Sequence, residues 1–284
     1  MKSCCWWLLT LLCACGPAGE GRFVVRMSGG ERVERGFAPS LLKDGWAVTF
    51  EKYLVSSGAL ALTREQTVLR RPDVWLVDLQ KGARETTTWA ELPAGRWNVS
   101  FSVLPPDEAT QLLDVSEADA AEMRANGWAT LVEGTATRTG VGSFPFRVGL
   151  PLAHRYTNCT NGLDGTLGLV LADGATETLE LTTHVDHLLY DRLGTHRDVQ
   201  LRFDAWTRDV PATGRITLDS LRGQDLLDLR ARDGATLRDD DGTPVVYDPG
   251  SYAVRTLDAF VAQSLTDQSH LNGGGLCTVT RLSP

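Results

Sequence analysis

Between residues 22 and 190, apolar side chains recur at every second position in run after run. A period of two puts them on one face of a strand, so each run needs a second layer to cover it. Arg22–Ser28 alternates. Gly45–Thr63 reads as one long or broken strand pair, with Trp46, Val48 and Phe50, then Tyr53 and Val55, then Ala59–Leu62. Asp73–Leu79 is a short strand in which Trp75, Val77 and Leu79 oppose Val74, Leu76 and Asp78. Leu92-Pro-Ala-Gly95 is a turn, because proline and glycine set its backbone. It opens a strand whose Trp97, Val99, Phe101 and Val103 share a face. Trp128–Thr137, Phe144–Leu150, Thr166–Leu171 and Ala175–His187 continue the pattern, and Ala172-Asp-Gly-Ala175 marks the last two as a hairpin.

Other segments leave this period. Ser116–Asn126 has a serine to cap it, Asp119 in its first turn and Gly127 as a stop, which predicts a helix. After Tyr190 the character changes. Val199–Thr207, with Phe203 and Trp206 three apart, reads as helical, and so does Asp219–Leu229. Val254–Asp267 carries Leu257, Phe260, Val261, Ser264 and Leu265 at helical spacing. The expectation is a mainly β protein: an antiparallel β-sandwich over residues 22–190, then a helical and loop region over 191–284.

The first fifteen residues are of another kind. Lys2 gives a positive start, and Trp6–Leu12 is apolar but much too short to span a bilayer. Leu12-Cys13-Ala14-Cys15 resembles the lipobox of bacterial type II signal peptides, with leucine at −3, a small residue at −1 and cysteine at +1. On that reading residues 1–14 are removed and the thiol of Cys15 takes a diacylglycerol. Residues 15–21 then form a short flexible tether. The membrane is the partner of this lipid, at about 0.8 kcal/mol per buried methylene. Gly16 is not the aspartate that retains such proteins at an inner membrane, which favours the outer one. A non-lipidated signal peptide, or a buried first helix, is the competing reading.

Four of the six cysteines lie in this leader. With Cys15 lipidated, Cys159 and Cys277 remain, and an even pair in an oxidising compartment bonds. The disulfide would pin residues 191–284 to the sandwich and contribute roughly 4–5 kcal/mol as an upper figure. Two separate buried thiols are the alternative.

A net charge of −8 argues against nucleic acid as a partner. All five histidines follow residue 150: His154, His184, His187, His196 and His270. His154 and His270 stand shortly before Cys159 and Cys277, so the disulfide would bring them into one neighbourhood. On a strand, His184 and Asp186 share a face and His187 takes the other, unless a bulge or turn reunites them. Imidazoles with a carboxylate suit zinc or copper. His154, His184, Asp186, His187 and His270 are therefore the candidate ligands, against ordinary histidines held by hydrogen bonds. Arg208–Leu221 is similar to a decayed calcium loop between helices. Pro211, Thr213 and Ser220 stand where its ligands belong, so calcium is not expected. There is no GxSxG, Walker loop or GxGxxG after a strand, and no catalytic residue is assigned. Trp75, Trp97 and Trp128 fall in strands and read as core; an exposed row of them would bind sugar.

Several runs carry a family resemblance. Gly45-Trp-Ala-Val-Thr-Phe-Glu-Lys-Tyr-Leu-Val-Ser-Ser-Gly-Ala-Leu60 resembles the opening of a group of uncharacterised lipoproteins of myxobacteria and their relatives. Trp75-Leu-Val-Asp-Leu79, Tyr156-Thr-Asn-Cys159, Thr183-His-Val-Asp-His-Leu-Leu-Tyr-Asp191 and His270-Leu-Asn-Gly-Gly-Gly-Leu-Cys277 extend the likeness. It implies an envelope lipoprotein and carries no activity with it. The strand-Asp-Leu and Leu-Pro-Ala-Gly-Arg pattern is more weakly similar to the periplasmic copper-binding proteins of methanobactin clusters, which use histidines. The expectation is a non-enzymatic envelope lipoprotein with a binding or structural role, a protein or glycan partner and a histidine metal site. A metal-independent adhesin or glycan binder is the first alternative, and a hydrolase the second.

Overall fold

The structure is a computed structural model that describes residues 19–194, 198–210 and 214–282. The leader, Cys15, the first part of the tether, His196, Pro211 and Thr213 lie outside the described residues. In chain order the strands are β1 (Glu20–Ser28), β2 (Ala47–Arg64), β3 (Thr67–Asp78), β4 (Arg84–Pro93) and β5 (Gly95–Val103). Then come β6 (Gln111–Leu113), β7 (Thr130–Arg138), β8 (Gly142–Leu150), β9 (His154–Thr157) and β10 (Leu169–Leu171). β11 (Thr176–Thr183), β12 (Ser269–Leu271) and β13 (Thr278–Arg281) complete them. The α-helices are α1 (Gly30–Arg35), α2 (Glu117–Asn126) and α3 (Leu257–Gln263).

The fold is mainly β, with two mixed sheets packed together as in a sandwich. The smaller sheet runs β12-β11-β1-β4. The larger runs β13-β9-β5-β2-β3-β6, with β10 on β5 and the β7–β8 hairpin on β2. Most pairings are antiparallel, but β1–β11 and β3–β6 are parallel. The two inner faces show the alternation the sequence carries. Phe23, Val25 and Met27 of β1 and Trp97, Val99, Phe101 and Val103 of β5 all enter one buried cluster. Each such side chain contributes about 1.5–3 kcal/mol on leaving water.

β2 organises the larger sheet. Its first half pairs with β7, its second half with β5, and β3 runs along its other edge. β7 gives way to β5 at Ser56, and a bulge at Ala59, whose φ is 49°, then shifts the register of β2 against both β5 and β3. The extra residue increases the local twist of the strand. Gly58 beside it is required by space: a Cβ there would stand 2.2 Å from the Asp73 carbonyl oxygen on β3.

α2 forms as its ends dictate. Ser116 Oγ accepts the Asp119 N–H at 3.1 Å, and Gly127 closes the helix with φ 64°. Its Ala120 and Met123 pack on Leu54, Leu76 and Leu131, on the outer face of the larger sheet.

Three expectations are corrected. Leu169–Leu171 and Thr176–Thr183 do not pair as a hairpin: the first joins β5 and the second lies parallel to β1. The turn between them is real, but its arms belong to different sheets. Val199–Thr207 and Asp219–Leu229 are not helices; each holds one short 3-10 turn, Asp204–Thr207 and Asp219–Leu221. Phe203 and Trp206 bury themselves within that single turn, which satisfies their spacing. Aspartates elsewhere favour turns, since Asp225, Asp233, Asp241 and Asp248 each accept the N–H two residues on. The calcium-loop segment has no flanking helices: Ile216 runs parallel to Phe146 of β8 and is fully buried. Of the helices expected after residue 190, α3 forms, with the 3-10 turn Ser264–Asp267 behind it. The irregular stretch is fastened to the first half by buried polar groups. Asp44 accepts the N–H groups of Phe203 and Asp204 at 2.6 and 2.8 Å, while Arg202 ties the stretch to itself through Asp191 and both oxygens of Asp239.

Candidate functional site

β11 ends at Thr183, where His184 N–H donates to the Gln268 carbonyl at 2.8 Å. The chain then turns into a 3-10 segment, Asp186–Leu189. This turn resolves the two-face problem: His187 folds back toward His184 instead of pointing through the sheet. β12 lies alongside with His270 opposite Thr182, which brings a third imidazole in from the far end of the sequence. The ring centroids of His184 and His270 are 4.9 Å apart, those of His187 and His270 5.6 Å, and those of His184 and His187 5.9 Å. Together with Asp186, Tyr190, Gly274 and Leu276 they line a cavity of about 230 Å³.

The polar contacts give each group a direction. His184 Nε2 lies 3.0 Å from the Gly273 carbonyl oxygen, so this nitrogen carries the proton and donates. Its Nδ1 lies 3.9 Å from Asp186 Oδ1. Tyr190 donates to Asp186 Oδ2 at 2.8 Å and stacks on His187 at 4.7 Å, holding both. Burial, then the Asp186 charge, pushes the Tyr190 hydroxyl above its usual range. Beneath the floor, Tyr53 donates to Gln268 Oε1 at 2.9 Å; burial first and Asp186 second keep this phenol protonated.

One wall is a fastened loop. Gly273 N–H donates to Thr182 Oγ1 at 2.9 Å, and Asn272 Nδ2 to Asn161 Oδ1 at 3.1 Å. Cys159 and Cys277 sit at disulfide distance, 2.08 Å between sulfurs. Gly275 must be glycine, since a Cβ would meet the Thr160 carbonyl oxygen at 1.9 Å. The run of three glycines beside Cys277 was the sequence signal for this wall. Tyr190 had a weaker one, four residues after Asp186.

Of the five candidate ligands, the structure brings together His184, Asp186, His187 and His270. His154 lies apart. It is on β9 in the larger sheet, with Nε2 3.2 Å from Thr266 Oγ1, and burial and then Arg281 push it down to about 4. The disulfide joins the ends of β9 and β13, while His270 sits on β12 of the other sheet, so closeness at the cysteines does not extend to both histidines. Among the described residues, no three His, Cys, Asp or Glu side chains are set to hold a metal ion as they stand. Trp75 and Trp97 are core. Trp128 lines a separate cleft of about 580 Å³ with Arg147, Arg215, Arg222 and Asp219. Among the described residues, no helix is long and apolar enough to cross a membrane. Comparison with protein-family models, with curated proteins and with solved structures finds no match.

Proposed function

We propose that this chain is a bacterial cell-envelope lipoprotein without catalytic activity, held by lipid on Cys15 at the outer membrane, that binds copper or zinc through His184, His187 and His270. The observation that carries the reading is the spacing of the three rings. Metal–nitrogen bonds of about 2.0–2.1 Å around one tetrahedral ion put imidazole centroids roughly 5 Å apart. The observed separations are 4.9, 5.6 and 5.9 Å. The rings stand at about the separation that shared coordination of one ion requires. Asp186 supplies charge and, through Tyr190, orientation; such outer partners fix the ring nitrogen that meets the metal. The leader's Leu-Cys-Ala-Cys pattern, the likeness to myxobacterial lipoproteins and the Cys159–Cys277 pair support the envelope placement.

The test is metal content by mass spectrometry on protein exported to a periplasm and offered copper, zinc and calcium. About one copper or zinc per chain is expected, falling to none in the His184→Ala/His187→Ala double variant. A wild-type chain that carries no metal, or a double variant that keeps it, overturns the reading.

The cleft at Trp128 favours a second reading. Its aromatic and charged wall is of the kind that holds a sugar, which makes the protein a metal-independent glycan binder. Glycan-array binding that survives chelation and is lost in Trp128→Ala would support it; a silent array would count against it.

A further inference from the structure

The loop between β9 and β10, together with β10 itself, exposes large apolar side chains although it is firmly built. Leu163 is 82% exposed, Val170 50% and Leu167 46%. Asn161 N–H bonds the Thr166 carbonyl, Gly168 N–H bonds the Cys159 carbonyl, and Arg96 donates to Thr166 Oγ1 and the Leu167 carbonyl. A fixed loop that shows leucine and valine to water is costly unless something covers it.

Its place in the fold identifies the cover. Val170 pairs with Arg96, next to Gly95 and Ala94. Ala94 N–H bonds the Gly19 carbonyl at 2.6 Å, and Gly174 N–H bonds the Glu20 carbonyl at 2.8 Å. The loop therefore stands beside the point where the described chain begins. A groove of about 590 Å³ runs between Leu163, Val170, Ala172, Phe23 and Thr176 at this end. Cys15 precedes Gly19 by four residues, which reach about 14 Å at full extension. A lipid on Cys15 would hold this end of the protein against the headgroups, whatever the orientation of the rest.

We infer that Leu163, Leu167 and Val170 form a membrane-docking surface that enters the lipid interface next to the anchor. The inference rests on lipidation of Cys15. Charge here is net negative, with Arg22, Arg64 and Arg96 against Glu20, Glu65, Asp164, Asp173 and Glu177, so docking comes from apolar burial and not from anionic headgroups. Docking fixes the orientation of the molecule. The opposite end of β2, with Asp44 and the irregular stretch tied to it through Phe203 and Asp204, points away from the bilayer.

The test uses the full chain, expressed with its leader and reconstituted into vesicles of phosphatidylethanolamine and phosphatidylglycerol. The mature wild-type protein then has no free thiol, because Cys15 carries lipid and Cys159 is bonded to Cys277. Single variants Leu163→Cys, Leu167→Cys and Val170→Cys are reacted with a membrane-impermeant maleimide, with Leu227→Cys and Val246→Cys at the far end as controls. Labelling at the three loop positions is expected to be about tenfold slower than at the controls, and to recover when the vesicles are replaced by unfolding denaturant. Equal rates at loop and control positions in a lipidated protein overturn the docking. Labelling of the wild-type chain at Cys15 overturns the anchor, and the docking with it. Protection that survives in detergent with a doubled mass by light scattering identifies a second copy as the cover and also overturns it.

Discussion

Removing the disulfide is the perturbation whose size the structure fixes best. Cys159 and Cys277 close a loop of 118 residues. The loss of loop-closure entropy from the unfolded chain is then worth about 5 kcal/mol, as an upper figure. Strand β13 still pairs with β9 from Thr278↔Thr157 to Arg281↔His154 in the folded state. The native fold therefore survives the double substitution Cys159→Ala/Cys277→Ala, and the cost falls on the equilibrium. Cys159 is fully buried, so its missing sulfur adds up to about 1 kcal/mol for the space it leaves. A loss of up to about 5–6 kcal/mol is a large share of the usual 5–15 kcal/mol of a folded protein. In guanidinium chloride it should lower the unfolding midpoint by about 1 M, followed by fluorescence of the buried tryptophans. Wild-type protein unfolded with and without a reductant gives the same comparison without mutation. A midpoint shift under about 0.2 M would refute the reasoning, because the closed loop would then not constrain the unfolded chain.

Other consequences can be measured in the same way. His154 has its folded pKa lowered to about 4 from 6.5, so the unfolded chain binds the proton first as pH falls. Its contribution is present above pH 6.5 and is lost between there and about 4, at a cost of about 3 kcal/mol. Urea midpoints at pH 7 and pH 4.5 should diverge less in His154→Gln than in wild type; equal divergence would exclude His154 as the cause. Met123→Ala should cost about 2–4 kcal/mol, since the side chain is fully buried between α2 and the outer face of the larger sheet. A melting temperature unchanged by that substitution would mean α2 is docked by its charged contacts alone. Gly58→Ala should cost about 3 kcal/mol or more by forcing β2 and β3 apart at Asp73. If the variant melts with the wild type, the strands have slack there.

What could be read in advance was what depends on near neighbours. Trp97, Val99, Phe101 and Val103 alternate and are buried together, and α2 begins and ends at the residues that cap it. What could not be read was pairing at a distance. Arg22 aligns with Thr176 in a parallel ladder, and no local pattern says which of several similar strands β1 will choose. The turn at Ala172–Ala175 was visible, but turn chemistry does not say whether its arms stay together. The helical spacing of Phe203 and Trp206 was genuine and too short to tell one 3-10 turn from a helix. Asp233-Gly234 and Asp241-Gly242 were the warnings in that region, since such dipeptides set turns. At the site, Asp186 and the two histidines flanking it were close in sequence. The arrival of His270 depends on β12 joining β11, which the sequence does not announce.

The position of β1 inside the smaller sheet has a mechanical consequence. β1 is flanked on both sides, by β11 along Arg22–Ser28 and by β4 along Glu20–Met27. Ladder hydrogen bonds lie across the strand direction. A pull applied at residue 19 along the strand therefore loads both ladders in shear, and many backbone bonds must yield together. The same pull on β4 or β12, at the sheet's edges, would load only one ladder. The chain thus presents its strongest grip to tension arriving through its first described residues.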